Sequence, residues 1–244
     1  MKFIAADWSA PVQVKALTTT RQGGYSSGVF AGLNLGDHVA DDAALVAQNR
    51  ALLLADLGLK RSPQWLSQVH GTRVVAASDG GEVIEADACW TDQKGLACII
   101  MTADCLPVFF CDRQGSRVAV AHAGWRGLAD GILENTLAIF EDPSDVLVWL
   151  GPAIGPAAFE VGAEVRERFL LADSEAEAAF KAVKGKPDKF MADIYYLAEM
   201  RLTAVGVNRV TRCDLCTFTD RQQFYSYRRD GQTGRMASLI WLEA

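Results

Sequence analysis

Short apolar runs separated by turn residues fill the middle third of the chain. These runs cover residues 73–77, 96–102, 106–111 and 117–122. Turn-forming residues lie between them, as in Asp79-Gly80-Gly81 and Asp112-Arg113-Gln114-Gly115. Apolar runs of this length between turns are typical of buried β-strands. The middle of the chain is therefore predicted to form the central strands of the fold.

The N-terminal part of the chain predicts a strand, a loop and a helix. Residues 12–19 alternate between apolar and polar positions, as a half-buried strand does. The glycine-rich stretch after them has the composition of a loop. Asp41 or Asp42 is a suitable N-cap for a helix that continues to Leu57, and Gly58 is a suitable stop.

The second half of the chain mixes helices and strands. From Trp125 to Phe140 the apolar residues recur at helical spacing, which predicts one amphipathic helix. Further helices are predicted near 162–171, 174–183 and 188–205, and further strands at 145–150, 208–213, 223–228 and 236–242. Because the elements follow no regular βαβ order, the sequence predicts an α+β fold with mixed β-sheet layers flanked by helices. No repeat or linker divides the chain, so we expect a single domain over residues 1–244.

Composition and charge exclude several classes of protein. The chain has 244 residues, is 50% hydrophobic and carries a formal net charge of −6. It shows neither a basic cluster nor an apolar run of membrane-spanning length, so we expect no nucleic-acid or membrane partner. Asp7 interrupts the N-terminus before a signal-peptide core develops. A cytoplasmic protein is therefore expected, with its six cysteines as thiols or ligands rather than disulfides.

The candidate chemistry centres on two of the three histidines. His70 lies in Gln-Val-His-Gly, and His122 ends an apolar run before Ala-Gly-Trp-Arg-Gly. Cys105 lies between them in the sequence, next to Asp104. Two imidazoles and a thiolate form a zinc ligand set, and three protein ligands leave a fourth position for water or substrate. Asp104 is a candidate for moving a proton or orienting a ligand, and we expect His38 at the surface or behind the site.

Eight short motifs are distributed over nearly the whole chain. They are Thr-Arg21-Gln-Gly-Gly-Tyr-Ser, Leu-Asn34-Leu-Gly, Gln-Val-His70-Gly, Ala-Asp87-Ala, Met-Thr-Ala-Asp-Cys105-Leu-Pro, His122-Ala-Gly-Trp-Arg-Gly, Gly-Pro-Ala-Ile-Gly-Pro and Tyr-Ser-Tyr-Arg228-Arg229-Asp. Together they resemble the bacterial laccase-domain family, whose members have been described as polyphenol oxidases, as purine nucleoside phosphorylases with adenosine deaminase activity, and as peptidoglycan editing factors. The resemblance implies a cysteine-hydrolase-like α+β domain in which His70, Cys105 and His122 hold zinc.

The same resemblance implies zinc-dependent purine nucleoside chemistry, with a nucleoside and phosphate as partners. The reactions are phosphorolysis of adenosine, inosine, guanosine or methylthioadenosine-type nucleosides, and deamination of adenosine. Zinc lowers the pKa of water enough to support attack on C6 of adenine. The catalytic candidates are Cys105, His122, His70 and Asp104. Phosphorolysis also needs an anion clamp, and the substrate-binding candidates are Arg21, Asn34, Arg126, Glu160, Arg228 and Arg229.

Three alternatives use these residues differently. In a cysteine-type amidase, Cys105 is the nucleophile and His122 or His70 the base, and a wrong amino acid leaves a UDP-muramoyl peptidoglycan precursor. A polyphenol oxidase is disfavoured because three histidines cannot fill a multicopper centre, although one Cu²⁺ fits a two-histidine, one-cysteine site. A non-enzymatic zinc module needs a fourth ligand, which only the Cys213-x-x-Cys216 pair offers. The sequence does not separate the first two enzymatic schemes, and it gives no oligomeric state.

Overall fold

The computed structural model describes residues 1–243, and its strands form four sheets. The strands are β1 (Phe3–Ala5), β2 (Val14–Thr19), β3 (Leu66–Ser67), β4 (Val74–Ala76), β5 (Ile84–Glu85), β6 (Ala88–Thr91), β7 (Cys98–Thr102), β8 (Leu106–Asp112), β9 (Val118–Ala123), β10 (Val146–Leu150), β11 (Glu160–Gly162), β12 (Phe180–Val183), β13 (Lys186–Ala192), β14 (Arg209–Arg212) and β15 (Met236–Leu242). The α-helices are α1 (Ala43–Leu57), α2 (Trp125–Asp130), α3 (Ile132–Leu137), α4 (Ala163–Ala172), α5 (Ile194–Ala204) and α6 (Tyr227–Asp230). Short 3₁₀ helices cover Gly28–Phe30, Pro143–Asp145 and Ser174–Ala179.

The two larger sheets pack against each other. The six-stranded sheet has the order β14-β10-β8-β9-β6-β4, and the four-stranded sheet has the order β1-β2-β15-β7. Their neighbouring strands are antiparallel except for β10–β14 and β4–β6, which are parallel. Apolar side chains of both sheets, such as Ile100, Phe109 and Ile240, fill the layer between them. Burial on both faces explains why these strands are near-continuous apolar runs.

Helices cover the outer faces of this pair of sheets. Leu53 of α1 packs with Ile99 and Leu239 of the four-stranded sheet. Leu133 of α3 and Leu197 of α5 belong to the apolar cluster of the six-stranded sheet. The result is an α+β domain of mixed sheets flanked by helices, as predicted. No helix in the described part of the chain combines the length and hydropathy needed to cross a membrane.

Helix α1 confirms the prediction made from its capping residues. The Asp42 carboxylate accepts a hydrogen bond from the Ala44 N–H, and Gly58 ends the helix with a φ of 65° in the left-handed region. Both interactions satisfy backbone groups that a helix end leaves unpaired. The predicted middle strands are confirmed as β4, β7, β8 and β9, and the later strands at 145–150, 208–213 and 236–242 are confirmed as β10, β14 and β15.

The helix predicted from Trp125 to Phe140 is divided into α2 and α3. Gly131 has a φ of 103°, which ends the first helix and begins the second. The apolar spacing continues across this break because Leu128 and Ile132 are both buried on the six-stranded sheet. The apolar spacing therefore predicted the buried residues correctly but did not predict the break at Gly131.

Two predictions between residue 174 and residue 228 are wrong, and the helix predicted near 188–205 is confirmed with a later start, as α5 (Ile194–Ala204). Residues 174–183 form a 3₁₀ helix and then β12, and residues 188–192 belong to β13 before α5 starts. Strands β12 and β13 pair as a hairpin whose turn contains Gly185 at a φ of 80°. Residues 223–228 form no strand, because Ser226 caps the single turn of α6 by accepting from the Arg229 N–H. The predicted helix at 162–171 is confirmed as α4.

Candidate metal centre and active site

His70, Cys105 and His122 come from three separate segments and converge at one point. His70 lies in the loop after β3, Cys105 in the turn between β7 and β8, and His122 in β9. One ligand atom from each lies within 4.8 Å of the others. The Cys105 Sγ is 3.9 Å from the His70 Nε2, and the two imidazole rings are 4.7 Å apart at an angle of 73°. Among residues 1–243, no other group of three or more potential metal ligands lies this close together.

Strand register and a glycine bring the three side chains into contact. In the antiparallel pair β8–β9, Pro107 lies opposite His122, so the turn that carries Cys105 meets the end of β9. A Cβ at Gly124 would lie 2.7 Å from the His70 Cδ2 and 3.2 Å from the Cys105 Sγ. Glycine is therefore required at position 124 for His70 to approach the thiol.

A fully buried carboxylate, Asp87, supports two of the three ligands. Its Oδ1 is 2.8 Å from the His122 Nδ1 and accepts from the His70 N–H at 3.0 Å. Its Oδ2 accepts from the N–H groups of Val69 and Gly71 at 3.2 and 2.7 Å. Asp87 therefore fixes the ring of His122 and the backbone of the His70 loop together, and it leaves the Nε2 of His122 free for a ligand.

Sequence reasoning did not select Asp87 as a site residue. The available signal was a carboxylate between Ala86 and Ala88, in a segment that is otherwise apolar. A charge in such a position is costly unless it is paired. A second overlooked residue, Gln68, ties the same loop to β7 by exchanging hydrogen bonds with the backbone of Met101 at 2.7 and 2.8 Å.

The charges of the cluster stabilise one another. Desolvation raises the pKa of the Cys105 thiol, but the charge of His122 and hydrogen bonds from both imidazoles outweigh it and lower the pKa to about 6. Desolvation lowers the pKa of His122, but Cys105 and the hydrogen bond to Asp87 raise it to about 9. Without a metal, a thiolate faces an imidazolium at neutral pH.

The donor set fits a metal ion. Imidazole nitrogen and thiolate sulfur are ligands for zinc and for copper. The three residues could hold one ion and leave a further coordination position for another ligand. Asp87 would act on such an ion indirectly, through the ring of His122 and the backbone of the His70 loop, as carboxylates behind metal-binding histidines commonly do.

The structure places Asp104 beside the cluster but points its carboxylate elsewhere. Its Oδ1 accepts from the Thr217 hydroxyl at 2.7 Å, and its Oδ2 accepts from the Ser226 hydroxyl at 3.0 Å and the Arg228 N–H at 2.7 Å. The residue has a φ of 93°, which shapes the turn just before Cys105. Asp104 thus connects that turn to the segment that follows residue 216.

Two of the predicted substrate-binding residues have their side chains committed within the protein. The amide of Asn34 is fully buried and bonds Gly36, Asp41 and the Arg235 N–H. The guanidinium of Arg229 donates to the carbonyls of residues 217, 218 and 224 and to the Asp230 carboxylate. These contacts leave neither side chain a free donor for phosphate.

The other predicted arginines differ in where they lie. Arg21 stacks on the ring of Tyr225 at 4.5 Å and borders a separate cavity with Arg221. Arg126 lies two residues after Gly124, is exposed and stacks on Trp125 at 4.4 Å. Arg228 donates to the Glu160 carbonyl at 2.6 Å. Its backbone N–H donates to Asp104, the residue before Cys105, at 2.7 Å.

Glu160 and the Cys213-x-x-Cys216 pair make contacts apart from the His–Cys–His cluster. The Glu160 carboxylate forms an ion pair with Lys186 at 2.8 Å. The Cys213-x-x-Cys216 pair borders a different cavity with Tyr195, and the Cys216 Sγ accepts from the Gly155 N–H at 3.1 Å. Neither cysteine belongs to the cluster around Cys105.

The fold and the cluster together define an α+β enzyme class with a His–Cys–His site. The sequence pattern of the family described as multi-copper polyphenol oxidoreductase laccase matches residues 15–243, and the chain belongs to this family. A Pseudomonas aeruginosa protein named purine nucleoside phosphorylase is 55% identical over 99% of this chain and 98% of its own length. The Escherichia coli protein named purine nucleoside phosphorylase YfiH is 50% identical over 99% of both chains.

Solved structures agree with this assignment. The crystal structure of a Neisseria meningitidis protein superposes with a TM-score of 0.95 and 48% identity, over 100% of both chains. That of the Bacillus licheniformis hypothetical protein YfiH gives a TM-score of 0.89 and 31% identity, over 95% of this chain and 93% of that one. The predicted family is confirmed, and the names of the curated relatives support an enzymatic role. The family description names several coppers, but this chain has three histidines and only two lie in the cluster.

Proposed function

We propose that the protein is a zinc-dependent purine nucleoside phosphorylase that also deaminates adenosine. Its substrates would be adenosine, inosine, guanosine and methylthioadenosine-type nucleosides, with phosphate as co-substrate. The names of relatives that align over nearly the whole chain support the reaction class. The observation that carries the proposal is the His70–Cys105–His122 cluster with Asp87 bonded behind His122.

In phosphorolysis an oxygen of phosphate forms a bond to C1′ of the ribose while the bond from C1′ to N9 breaks. The purine leaves with the electron pair of that bond and takes up a proton, and the other product is ribose 1-phosphate. In deamination, water adds to C6 of adenosine and ammonia leaves, which gives inosine. Both reactions place negative charge on a group that must be stabilised.

The residues of this chain have distinct tasks in the proposed site. His70, Cys105 and His122 would hold zinc, which supplies a Lewis acid for an oxygen or nitrogen atom of the substrate. Asp87 holds the Nδ1 proton of His122 and so keeps its Nε2 directed at the site. Asp104 holds the turn before Cys105 against the segment from Ser226 to Arg228. Arg126 and Arg228 remain candidates for contacting an anionic group.

We also propose a cytoplasmic location. All six cysteines are free thiols in the structure, including Cys105, which is only partly buried. Reduced cysteines persist in the cytoplasm and are commonly oxidised outside it.

The proposal is tested by product chromatography with protein of measured metal content. Adenosine and phosphate should yield adenine with ribose 1-phosphate, or inosine and hypoxanthine. Both activities should be lost in Cys105→Ala and after chelation, and added zinc should restore the chelated wild type. A zinc-loaded protein that converts no purine nucleoside contradicts the proposal.

A cysteine-type amidase is a second candidate because one observation favours it. The ionised Cys105 thiol, His122 and Asp87 form a thiolate–imidazolium–carboxylate series, as in cysteine hydrolases. The thiolate would add to an amide carbonyl, His122 would protonate the departing amine, and water would then release the acid from the thioester. Chelation should preserve this activity, measured as amino-acid release from UDP-muramoyl amino acids, whereas it should abolish the purine activities.

A further inference from the structure

The guanidinium of Arg235 is partly buried, and no carboxylate lies within ion-pairing distance among residues 1–243. Its Nη1 donates to the carbonyls of Thr233 and Gly234 at 2.9 and 3.1 Å, whereas its Nε and Nη2 have no hydrogen-bond partner in the described part of the chain. The neighbouring Arg50 differs, since it is paired with Asp37 at 3.1 Å. The free edge of this partly buried cation is therefore available to an anionic ligand.

The free edge of Arg235 has the geometry that phosphate requires. The N–H of Nε and one N–H of Nη2 lie side by side on one edge of a guanidinium. That edge binds two oxygens of a carboxylate or phosphate at once. The two donations from Nη1 fix the plane of the group, so little orientational freedom remains to be lost on binding.

Arg235 is adjacent to the His–Cys–His cluster. It directly precedes β15, in which Met236 lies opposite Thr102 of β7, so Arg235 meets the turn that leads to Cys105. The charges of Cys105 and Asp104 reach its guanidinium and raise its pKa, against a larger lowering by desolvation. An anion held by Arg235 would therefore lie beside a substrate bound at the cluster.

A cavity of about 350 Å³ opens along Arg235 and is also bordered by His38, Tyr227 and Gln232. The Tyr227 ring is 61% exposed, and its centroid is 6.0 Å from the guanidinium carbon of Arg235. Asn34 holds the backbone of Arg235 in place, since its Oδ1 accepts from the Arg235 backbone N–H at 2.9 Å. The cavity presents the guanidinium of Arg235 as a donor and has enough room for a phosphate ion.

We propose that Arg235 binds the phosphate co-substrate, at a subsite bordered by His38 and Tyr227. The inference rests on the proposed phosphorylase function. It assigns the anion clamp to a residue other than the four arginines that the sequence suggested. Arg235 would hold the phosphate whose oxygen bonds to C1′ as the purine leaves. Its positive charge would offset the negative charge of the other phosphate oxygens.

The test measures the KM for phosphate and the KM for inosine separately in zinc-loaded wild type, Arg235→Gln and Arg235→Lys. Loss of a two-point charged contact should raise the KM for phosphate by about 10- to 100-fold in Arg235→Gln. The KM for phosphate of Arg235→Lys should lie between those of Arg235→Gln and wild type, because lysine keeps the positive charge but cannot donate two parallel hydrogen bonds. The KM for inosine and the deamination of adenosine, which consumes no phosphate, should stay within about twofold.

Arg113→Gln is the matched control, because Arg113 is exposed and paired with Asp145 at 3.3 Å, away from the cluster. An unchanged KM for phosphate in Arg235→Gln overturns the subsite while leaving the phosphorylase proposal intact. If Arg235→Gln does not fold, an unchanged KM for phosphate in Arg235→Lys overturns it equally.

A direct titration separates this inference from the proposed function. Inorganic phosphate should raise the Tm of the zinc-loaded wild type and should do so less in Arg235→Gln. This result supports an anion site at Arg235 even if no nucleoside is phosphorolysed. An equal rise in both proteins, or no rise in wild type, contradicts it.

Discussion

Two buried aspartates support the candidate site in different ways. Asp87 bonds the imidazole of His122 and three consecutive backbone N–H groups around His70. Asp104 is a neighbour of Cys105 in sequence, but its carboxylate accepts from Thr217, Ser226 and Arg228. Asp87 therefore affects the charge and position of the ligands directly. Asp104 instead holds the neighbouring segments of the chain together.

The partners of the two carboxylates show how each can be tested. Each oxygen of Asp87 accepts from at least one backbone N–H, which cannot reverse its direction. At Asp104, the Oδ1 faces only the hydroxyl of Thr217, which can donate or accept. An asparagine amide therefore conflicts with its surroundings at position 87 and can be accommodated at position 104.

The largest effect is expected for Asp87→Asn. The amide NH₂ must face a backbone N–H, and His122 loses the negative charge that favours its orientation and protonation. We expect zinc affinity to fall by about 10- to 100-fold, and the free energy of unfolding to fall by about 3–5 kcal/mol, as for other broken buried pairs. Competition with a chromophoric chelator and urea denaturation measure the two quantities.

Asp79→Asn is the control for this variant. Asp79 forms an exposed ion pair with Arg61 at 2.9 Å, and such pairs contribute about 0–1 kcal/mol. Equal losses of zinc affinity in the two variants would show that Asp87 has no special connection with the ligands.

The pH dependence of Cys105 ionisation tests how Asp87, acting through His122, affects the charge of the thiol. In metal-free protein the thiol should ionise with a pKa of about 6. Because this pKa is lowered, the thiolate is present above pH 6 and is lost as the pH falls through 6. In Asp87→Asn the midpoint should rise, because His122 carries its positive charge less readily.

Iodoacetamide alkylation followed by mass spectrometry of each cysteine measures this midpoint. Cys111 is an internal control, since it is fully buried and desolvation raises its pKa to about 12. A Cys105 midpoint near that of an ordinary thiol, about 8.5, would contradict the charge pairing.

A methyl group at Gly124 tests the close approach of His70 without touching either aspartate. In Gly124→Ala the new Cβ would meet the His70 Cδ2 at 2.7 Å, so the ring must move. We expect a loss of about 1–3 kcal/mol in the free energy of unfolding, as for other overpacked sites, together with weaker zinc binding. Gly80→Ala should change neither, because a Cβ there has no atom within 4 Å.

The smallest effect is expected for Asp104→Asn. The amide can donate to the Thr217 hydroxyl and keep its oxygen toward Ser226 and Arg228. We expect a loss of about 1 kcal/mol in the free energy of unfolding, typical of one weakened hydrogen bond, with zinc affinity almost unchanged. Chelator competition that showed a loss as large as in Asp87→Asn would remove the distinction between the two aspartates.

The same contrast explains what could be predicted from the sequence. The central strands and α1 follow from local patterns, since burial and capping are written within a few residues. Asp87 is important only because β6 pairs with β9, where Ala88 lies opposite Ala121, and a register between distant segments leaves no local pattern. His70, Cys105 and His122 were selected by their residue types and motifs, not by any predicted contact.

The errors around the site have a similar cause. Residues 223–228 have a pattern that resembles an alternating strand, yet the neighbouring Tyr225 and Ser226 are both buried. The Ser226 hydroxyl and the Arg228 N–H donate to the Asp104 carboxylate instead of to a neighbouring strand. In the hairpin from Phe180 to Ala192, pairing across the turn at Gly185 prevails over helical spacing. Arg235 belongs to no motif, and its unpaired charge is visible only in three dimensions.

The three hydrogen bonds from residues 69–71 to Asp87 have one further consequence. The segment around His70 has no helix or strand of its own, but a carboxylate of the protein core holds its backbone. A metal ion would enter a pre-organised cradle rather than gather its ligands from a mobile loop. In contrast with zinc fingers, whose chains unfold when the ion is removed, the architecture of this centre belongs to the polypeptide, and demetallation should be a reversible event within a native fold.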